Sequence, residues 1–493
     1  MAGSTIFLHC KPALDPVIRA RMTYAFRVFA AVYGYHVVDR PDSAEFFFLY
    51  GEHEGESPDQ KTLHIPARYA SRRRSVELPA LKKICYANED VYLVHGLDAD
   101  GNPDWLGEIF EWLSSSLELP IEARDAVGRI PFDETVFQRQ NLSPLKPQAG
   151  LLMAWMENTL RHGRSGEALP KAKSPVPDID HMVICSHDID FYFTNRGGAL
   201  HRFLKNLAIS ITHYSSPSFF AANCRMILGL LTQKRPGEYM IPLLDAMEER
   251  GLRSTLFAVA NGGHRRDPEY VLSQIAPQLR EAVSRGFSVG VHASYSSVVE
   301  KNSLARETAV LKKMLGTKPA GNRQHWLRFD AHAKLIKAIE DADFCYDSSL
   351  GFSETCGFRN GANFAFPPYD FEKEKPCGFL EIPLVIMDGS LATSSRKLRR
   401  NPQELADSIL AESRKLGWGG ISILWHNPME PIQVPDEVNK VFWKCALERK
   451  QFAEQWMSAD EFLAASLPRF QAAGLLKENK FDAFHAHRAL AAD

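Results

Sequence analysis

The chain has no run of the eighteen or so apolar residues that a membrane-crossing helix needs, so no spanning segment is expected. It also lacks an excess of either charge. Its 58 Lys and Arg stand against 60 Asp and Glu, a formal net charge of -2. That balance carries none of the basic footprint of a nucleic-acid binder. Paired cysteines are missing too. The eight Cys, at positions 10, 85, 185, 224, 345, 356, 377 and 445, include no Cys-x-x-Cys. In a chain of 493 residues they are expected as reduced, buried thiols and not as a disulfide frame. Met1 to Cys10 shows no basic segment followed by a long apolar one. A secretory signal is therefore not expected there, and a cytoplasmic location is.

What is present is the composition of a globular protein too long for a single ordinary core, so two or three domains are expected. Thr5–His9, Asp15–Tyr33, Tyr35–Val38 and Ala44–Tyr50 follow as strand, helix, strand and strand. Leu63–Ile65 and Val91–Val94 are further strand candidates; Trp105–Leu117 and Leu151–Leu160 have helical spacing. The run Arg72-Arg73-Arg74 is expected as a solvated turn. Residues 161–180 turn polar and proline-rich, which places a boundary there. The expected division is an N-terminal accessory α/β domain over 1–170, a β/α barrel over 171–475, and a tail over 476–493.

Beyond the boundary, strands and helices alternate. Strands are expected at 181–187, 254–260, 287–293, 319–325, 379–387 and 420–426. Helices are expected at 237–250, 268–285, 303–315, 331–341 and 402–416. That order predicts a parallel sheet with helices outside, closed or nearly closed into a barrel. Residues 191–236 add two helices, 199–211 and 219–231, as an insertion that covers the site or packs on the N-terminal domain.

Chemistry-bearing residues crowd the expected strand ends: His187-Asp188-Ile189-Asp190, Asn261 to His264, His292 to Tyr295, Arg323 to Trp326, and His426-Asn427. In a barrel, functional groups collect at the C-terminal strand ends. Asp188 and Asp190 share a face of an extended chain. Two such carboxylates conflict when buried unless one is protonated or a cation lies between them. A divalent metal resolves the conflict, leaving one carboxylate as ligand and one as base.

In order, Ser-His-Asp-Ile-Asp, Val-His-Ala-Ser-Tyr, Gly-Asn-Arg-Gln-His-Trp, Tyr-Asp-Ser-Ser-Leu-Gly-Phe and Leu-Trp-His-Asn resemble the motifs of polysaccharide deacetylases of carbohydrate esterase family 4. The segment Asp104 to Arg129, Gly357-Phe358-Arg359, Glu381 to Leu384 and Met387-Asp388 resemble a bacterial branch with an additional N-terminal domain. The resemblance implies a distorted barrel of seven or eight strands and metal-dependent removal of an N- or O-acetyl group from a sugar. It implies Asp188 as general base, Asp190 and His292 as metal ligands, Arg323 as the residue that orients the base, and His426 as general acid. Trp425 would line an acetyl pocket or serve as a core aromatic.

The chain departs from the pattern at Ser296, where the family places a second His. A catalytic zinc normally keeps three protein ligands. Candidates for the third are His325, His187 and His264, with water a fourth possibility. His325 comes first because it shares strand parity with Arg323. His187 has the opposite parity to the aspartates, and His264 is expected in an exposed loop. Tyr295 and Ser296, with Ser294, are candidate contacts for sugar hydroxyls, as are Tyr346 and Asp347. Arg359 is a candidate contact for an anionic substrate group. The basic cluster Arg396 to Arg400 is expected at the surface. The expected cofactor is a divalent metal, zinc first, with cobalt, manganese and nickel open. The expected substrate is a glycan or a nucleotide- or lipid-linked precursor. Two competing readings stay open: hydrolysis of another non-peptide amide on the same barrel, and a non-catalytic glycan-binding module.

Overall fold

The computed structural model describes residues 4–477 except 52–60, 70–77, 164–168, 193–195, 213–215, 230–238, 269, 301, 330–332 and 431–432. The run Arg72-Arg73-Arg74 and all but the first two residues of the 476–493 tail lie outside the described residues.

A smaller α/β region comes first. Four parallel strands run in the order His36–Val37, Thr5–Cys10, Phe46–Tyr50, Thr62–Ile65. The helix Pro16–Tyr33 begins where the Asp15 carboxylate accepts the Val17 and Ile18 N–H groups, and ends at Gly34 in the left-handed conformation, φ 73°. A hairpin, Lys82–Tyr86 with Glu89–Leu93, turns through Ala87 and Asn88, both at positive φ as a two-residue loop requires. The helices Trp105–Leu113 and Gln148–His162 cover this region.

The second region is a parallel sheet that curls into a distorted barrel. Its order is Leu380–Glu381, Tyr346–Asp347, Gly321–Gln324, Ser288–Ala293, Thr255–Ala258, His181–Asp188, Trp418–Leu424, Leu384–Met387. The two ends of that order are consecutive in the chain. Leu380–Glu381 pairs with Tyr346–Asp347, and Leu384–Met387 pairs with Trp418–Leu424. One extended run, interrupted at Ile382-Pro383, thus joins both edges. A continuous strand over 379–387 was expected; Pro383 has no N–H to donate, and the run splits there.

His181–Asp188 is the hub. Trp418–Leu424 lies along one edge. The other edge is shared: Glu454–Met457 pairs with His181–Ile184, and Thr255–Ala258 pairs with Ser186–Asp188. All eight hub residues are buried, which explains why Met182–Cys185 is apolar throughout instead of alternating. The helices Leu272–Ser284, Ser303–Leu315, Ala333–Asp341 and Pro402–Leu416 lie close to their expected places. The helices Asp388–Leu398, Asp436–Glu448 and Ala459–Ala472 were not expected. One hydrophobic cluster runs from Ile6 to Leu476 and spans both regions.

The insertion forms the helices Arg196–Thr212 and Pro217–Gly229. Asn206 Nδ2 donates to Asn223 Oδ1 at 2.9 Å and joins them. Ala199 and Phe203 form a small apolar cluster of their own with Phe191, Met226 and Ile227. Phe191, at the root of the insertion, stands 5.7 Å from the His426 ring, so the insertion begins at the rim of the strand ends. No helix among the described residues is long and apolar enough to cross a membrane.

Candidate active site

Four strand ends meet around Asp190. The hub strand ends at Asp188, and Asp190 follows two residues later, its side chain 14% exposed. The ends of Ser288–Ala293 and Gly321–Gln324 bring in His292 and His325, and the end of Trp418–Leu424 brings in His426. Three imidazoles turn Nε2 toward the one carboxylate: His292 at 3.3 Å, His325 at 3.4 Å and His426 at 3.6 Å. Ligand atoms of Asp190, His292 and His325 all lie within 4.8 Å of one another.

Each imidazole is oriented through its other nitrogen. His292 Nδ1 donates to the Arg323 carbonyl at 2.9 Å, leaving Nε2 free. His325 Nδ1 faces Asp267 Oδ1 at 3.2 Å, and His426 Nδ1 faces Asp388 Oδ1 at 3.0 Å. The His426 N–H also donates to Asp388, at 2.9 Å, so backbone and ring are fixed by one carboxylate. Asp267 is held in turn by the N–H groups of Gly263, His264 and Tyr295. This is the outer arrangement that sets tautomer and ring direction around metal sites.

Arg323 is fully buried, and all five of its N–H groups are used. Nε donates to the Ser348 carbonyl, Nη1 to Ser186 Oγ and Asp188 Oδ1, and Nη2 to Ser348 Oγ and Ser422 Oγ, over 2.7–3.0 Å. Asp188 therefore sits between a fixed cation and His292, whose Nε2 is 3.7 Å from Asp188 Oδ2.

Four carboxylates crowd three imidazoles, and the proton affinities show it. Burial alone would raise the Asp190 pKa, but His325 and His292 outweigh it and hold the group well below the usual carboxylate range. Burial would lower the His325 and His426 pKa values. Asp190 and Asp267 lift His325 to about 9, and Asp388, with Asp190 and Asp188, lifts His426 to about 9. Excess negative charge is what a dication satisfies, displacing protons from its ligands. A second observation fits a cation: the buried atoms His292 Nε2 and Asp190 Oδ1 have no hydrogen-bond partner. The donor set of one carboxylate and two imidazoles matches three-ligand catalytic zinc sites.

The other candidates separate. Tyr295 and Ser296 lie next to the cluster and are half-buried. His264, expected to be exposed, is half-buried and stacks on Tyr295 with centroids 4.3 Å apart. His187 is buried and donates Nδ1–H to the Trp425 carbonyl at 2.6 Å; burial pushes its pKa down to about 4. Trp425 is a core aromatic: its indole N–H donates to the Val438 carbonyl and its ring packs on Phe442. Arg359 is not brought to the site. Its buried guanidinium makes a bidentate pair with Glu118 at 2.8 Å and donates to the Gly351 carbonyl, so its charge is already neutralised within the protein. Tyr346 and Asp347 form a strand, with Tyr346 bonded to Asp460 and Asp347 to Asn322.

Asp267 and Asp388 were not singled out for a role from sequence. Asp267 lies in a loop; Asp388 directly follows the expected strand 379–387 and opens a helix, so its place at a strand end was the one signal the sequence held. His325 was assigned by strand parity, but the strand stops at Gln324. His325 enters a single helical turn in which Trp326 has φ 66°.

No family model and no curated protein sequence matches the chain. Solved structures do. A probable polysaccharide deacetylase from Pseudomonas aeruginosa PAO1 aligns at 13% identity over 62% of this chain and 96% of its own, with a TM-score of 0.39. A Mycobacterium smegmatis protein described in similar terms aligns at 13% identity over 60% of this chain and 94% of its own, TM-score 0.37. The peptidoglycan deacetylase PdaC from Bacillus subtilis aligns at 10% identity over 60% and 95%, TM-score 0.28. Likeness at this level transfers no residue roles, and the site stands on its own geometry.

Proposed function

We propose that the chain is a metal-dependent deacetylase that hydrolyses an N- or O-acetyl group on a sugar of a glycan or glycan precursor. The observation that carries this reading is the convergence of Asp190, His292 and His325 within 4.8 Å, flanked by Asp188 and His426. Asp190, His292 and His325 would hold the ion, zinc first. A bound divalent ion supplies charge for the developing oxyanion and makes a water more acidic. Asp188, aligned by Arg323 at 3.0 Å, accepts the proton of the attacking water. His426, oriented by Asp388, donates a proton to the departing sugar nitrogen or oxygen. Tyr295 and Ser296 are at hand for sugar hydroxyls. The segment 1–170 is taken as an accessory domain that buttresses the barrel over 171–475.

Metal content by mass spectrometry, without added metal, tests the ligand set alongside acetate release from acetylated sugars. About one ion per chain is expected in the native protein, with loss in both His292→Ala and His325→Ala. Loss in His292→Ala alone would remove His325 from the ligand set. A native chain that binds no metal even after reconstitution would overturn the reading.

A further inference from the structure

On its His325 side the site carries two guanidinium groups that form no ion pair with a carboxylate among the described residues. Arg266 directly precedes Asp267, and Arg328 lies three residues beyond His325. Both close on one ring. The Arg328 guanidinium is 4.3 Å from the Tyr295 ring centre, and that of Arg266 is 5.1 Å away. Among the described residues neither forms an ion pair with a carboxylate. Arg328 donates Nη1 to the Tyr295 carbonyl, and its buried Nε has no partner. The neighbouring Arg129 differs: Asp125 neutralises it at 2.8 Å while it donates to the Trp326 carbonyl. The Trp326 indole, 41% exposed, donates to the Arg266 carbonyl at 3.2 Å and lies 5.6 Å from the His325 ring.

Two like charges gathered on one aromatic ring repel each other and lose hydration. Asp188, Asp190, Asp267 and Asp388 are all nearby in the site, yet each is engaged with an imidazole or with Arg323. Apart from the Tyr295 carbonyl, which takes Arg328 Nη1, the pair is thus left as a fork of donors with no acidic acceptor among the described residues. Paired arginines are suited to oxyanions with two or more acceptor oxygens. We infer that Arg266 and Arg328, around the Tyr295 ring, bind an anionic substituent of the acetylated sugar, a phosphate or carboxylate carried beside the scissile acetyl group. This inference rests on the deacetylase reading for the acetyl group, but not for the anion. It moves anion recognition from Arg359, which Glu118 occupies, to the wall of the site.

The test compares kcat/KM for three sugars: methyl N-acetylglucosaminide, which is neutral, N-acetylglucosamine 1-phosphate and N-acetylmuramic acid. The native protein is expected to prefer an anionic sugar by about tenfold or more, the size of one charge-assisted contact. Which anionic sugar wins separates phosphate from carboxylate. In Arg266→Gln and Arg328→Gln that preference ratio is expected to collapse toward one, with Arg328→Lys retaining part of it. A purely structural defect would lower all three rates and leave the ratio intact. Equal rates on neutral and anionic sugars, or a ratio unchanged in both Gln variants, would overturn the inference. If no acetylated sugar is hydrolysed, the deacetylase reading fails, and calorimetry with N-acetylglucosamine 1-phosphate still decides the anion site. Binding weakened about tenfold by Arg266→Gln sustains it; no binding, or equal binding, ends it.

Discussion

Single side chains in this site are defined by what occupies their second atom. His426 would be an ordinary strand-end imidazole but for Asp388, which takes both its ring N–H and its backbone N–H. Asn at position 388 keeps the size but presents an amide that no longer demands an Nδ1–H and no longer stabilises an imidazolium. Asp388→Asn is therefore expected to lower kcat by about a hundredfold, the scale of one general acid, while KM and bound metal stay near native. Acetate-release kinetics with metal analysis checks this, and loss of metal together with activity would place Asp388 among the metal-holding groups instead. The sequence made His426 and the two aspartates visible because they stop apolar runs. Asp388 also stops an apolar run, Leu384–Met387, but its pairing with His426, like that of Asp267 with His325, was not visible because a carboxylate that supports a histidine needs only to be near it in space. Arg359 illustrates the converse: a loop arginine beside glycines looks free, and its partner Glu118 is 241 residues away.

At the level of elements, strands long enough to show a period were legible and short ones were not. His181–Asp188 and Ser288–Ala293 were expected within a residue or so. Tyr346–Asp347 is two residues long, below any periodic signal, yet it completes the barrel between Gly321–Gln324 and Leu380–Glu381. Asp388–Leu398 was missed because its buried face is built largely of small residues, Ser390, Ala392, Ser394 and Ser395, with Leu391. The strand Gly321–Gln324 matters most, since it delivers Arg323 and leads into His325. It can lie against its neighbour only because residue 321 has no side chain: a Cβ there would sit 1.9 Å from the Tyr346 ring. That ring is fully buried, with its hydroxyl bonded to Asp460, so it has little room to yield. Gly321→Ala is expected to cost about 3 kcal/mol through overpacking and to lower both the thermal midpoint and the metal content. A variant with native melting behaviour would show that the two strands can separate without cost.

Across the whole molecule, the sequence implied two regions but not how closely they are joined. The boundary signal at 161–180 reflects local composition, whereas the joining groups are distant pairs. Arg21 binds Glu374, Arg359 binds Glu118, and Asn360 Nδ2 donates to the Leu113 carbonyl and to Ser115. Within the barrel, the base of the hub strand is fastened by a buried carboxylate. Glu454 takes His181 Nδ1 at 2.7 Å, Arg414 Nε at 2.9 Å and the Trp456 indole at 2.7 Å. Burial alone would raise its pKa, but His181 and Arg414 outweigh that and hold it at about 2, against an ordinary value of 4.5. A carboxyl with a depressed folded pKa stabilises the fold above its unfolded pKa and loses that contribution as pH falls toward the folded value. The window is thus from about pH 4.5 down to about 2. The shift corresponds to roughly 3 kcal/mol at neutral pH and roughly 1 kcal/mol at pH 3. Native protein is therefore expected to exceed Glu454→Gln in unfolding free energy by about 3 kcal/mol at pH 7, with the gap narrowing below pH ~4.5. Urea unfolding of both proteins at pH 7, 4 and 3 measures it. A gap that stays constant across those values would mean that the carboxylate charge contributes nothing and that only its shape and hydrogen bonds hold the hub strand in place.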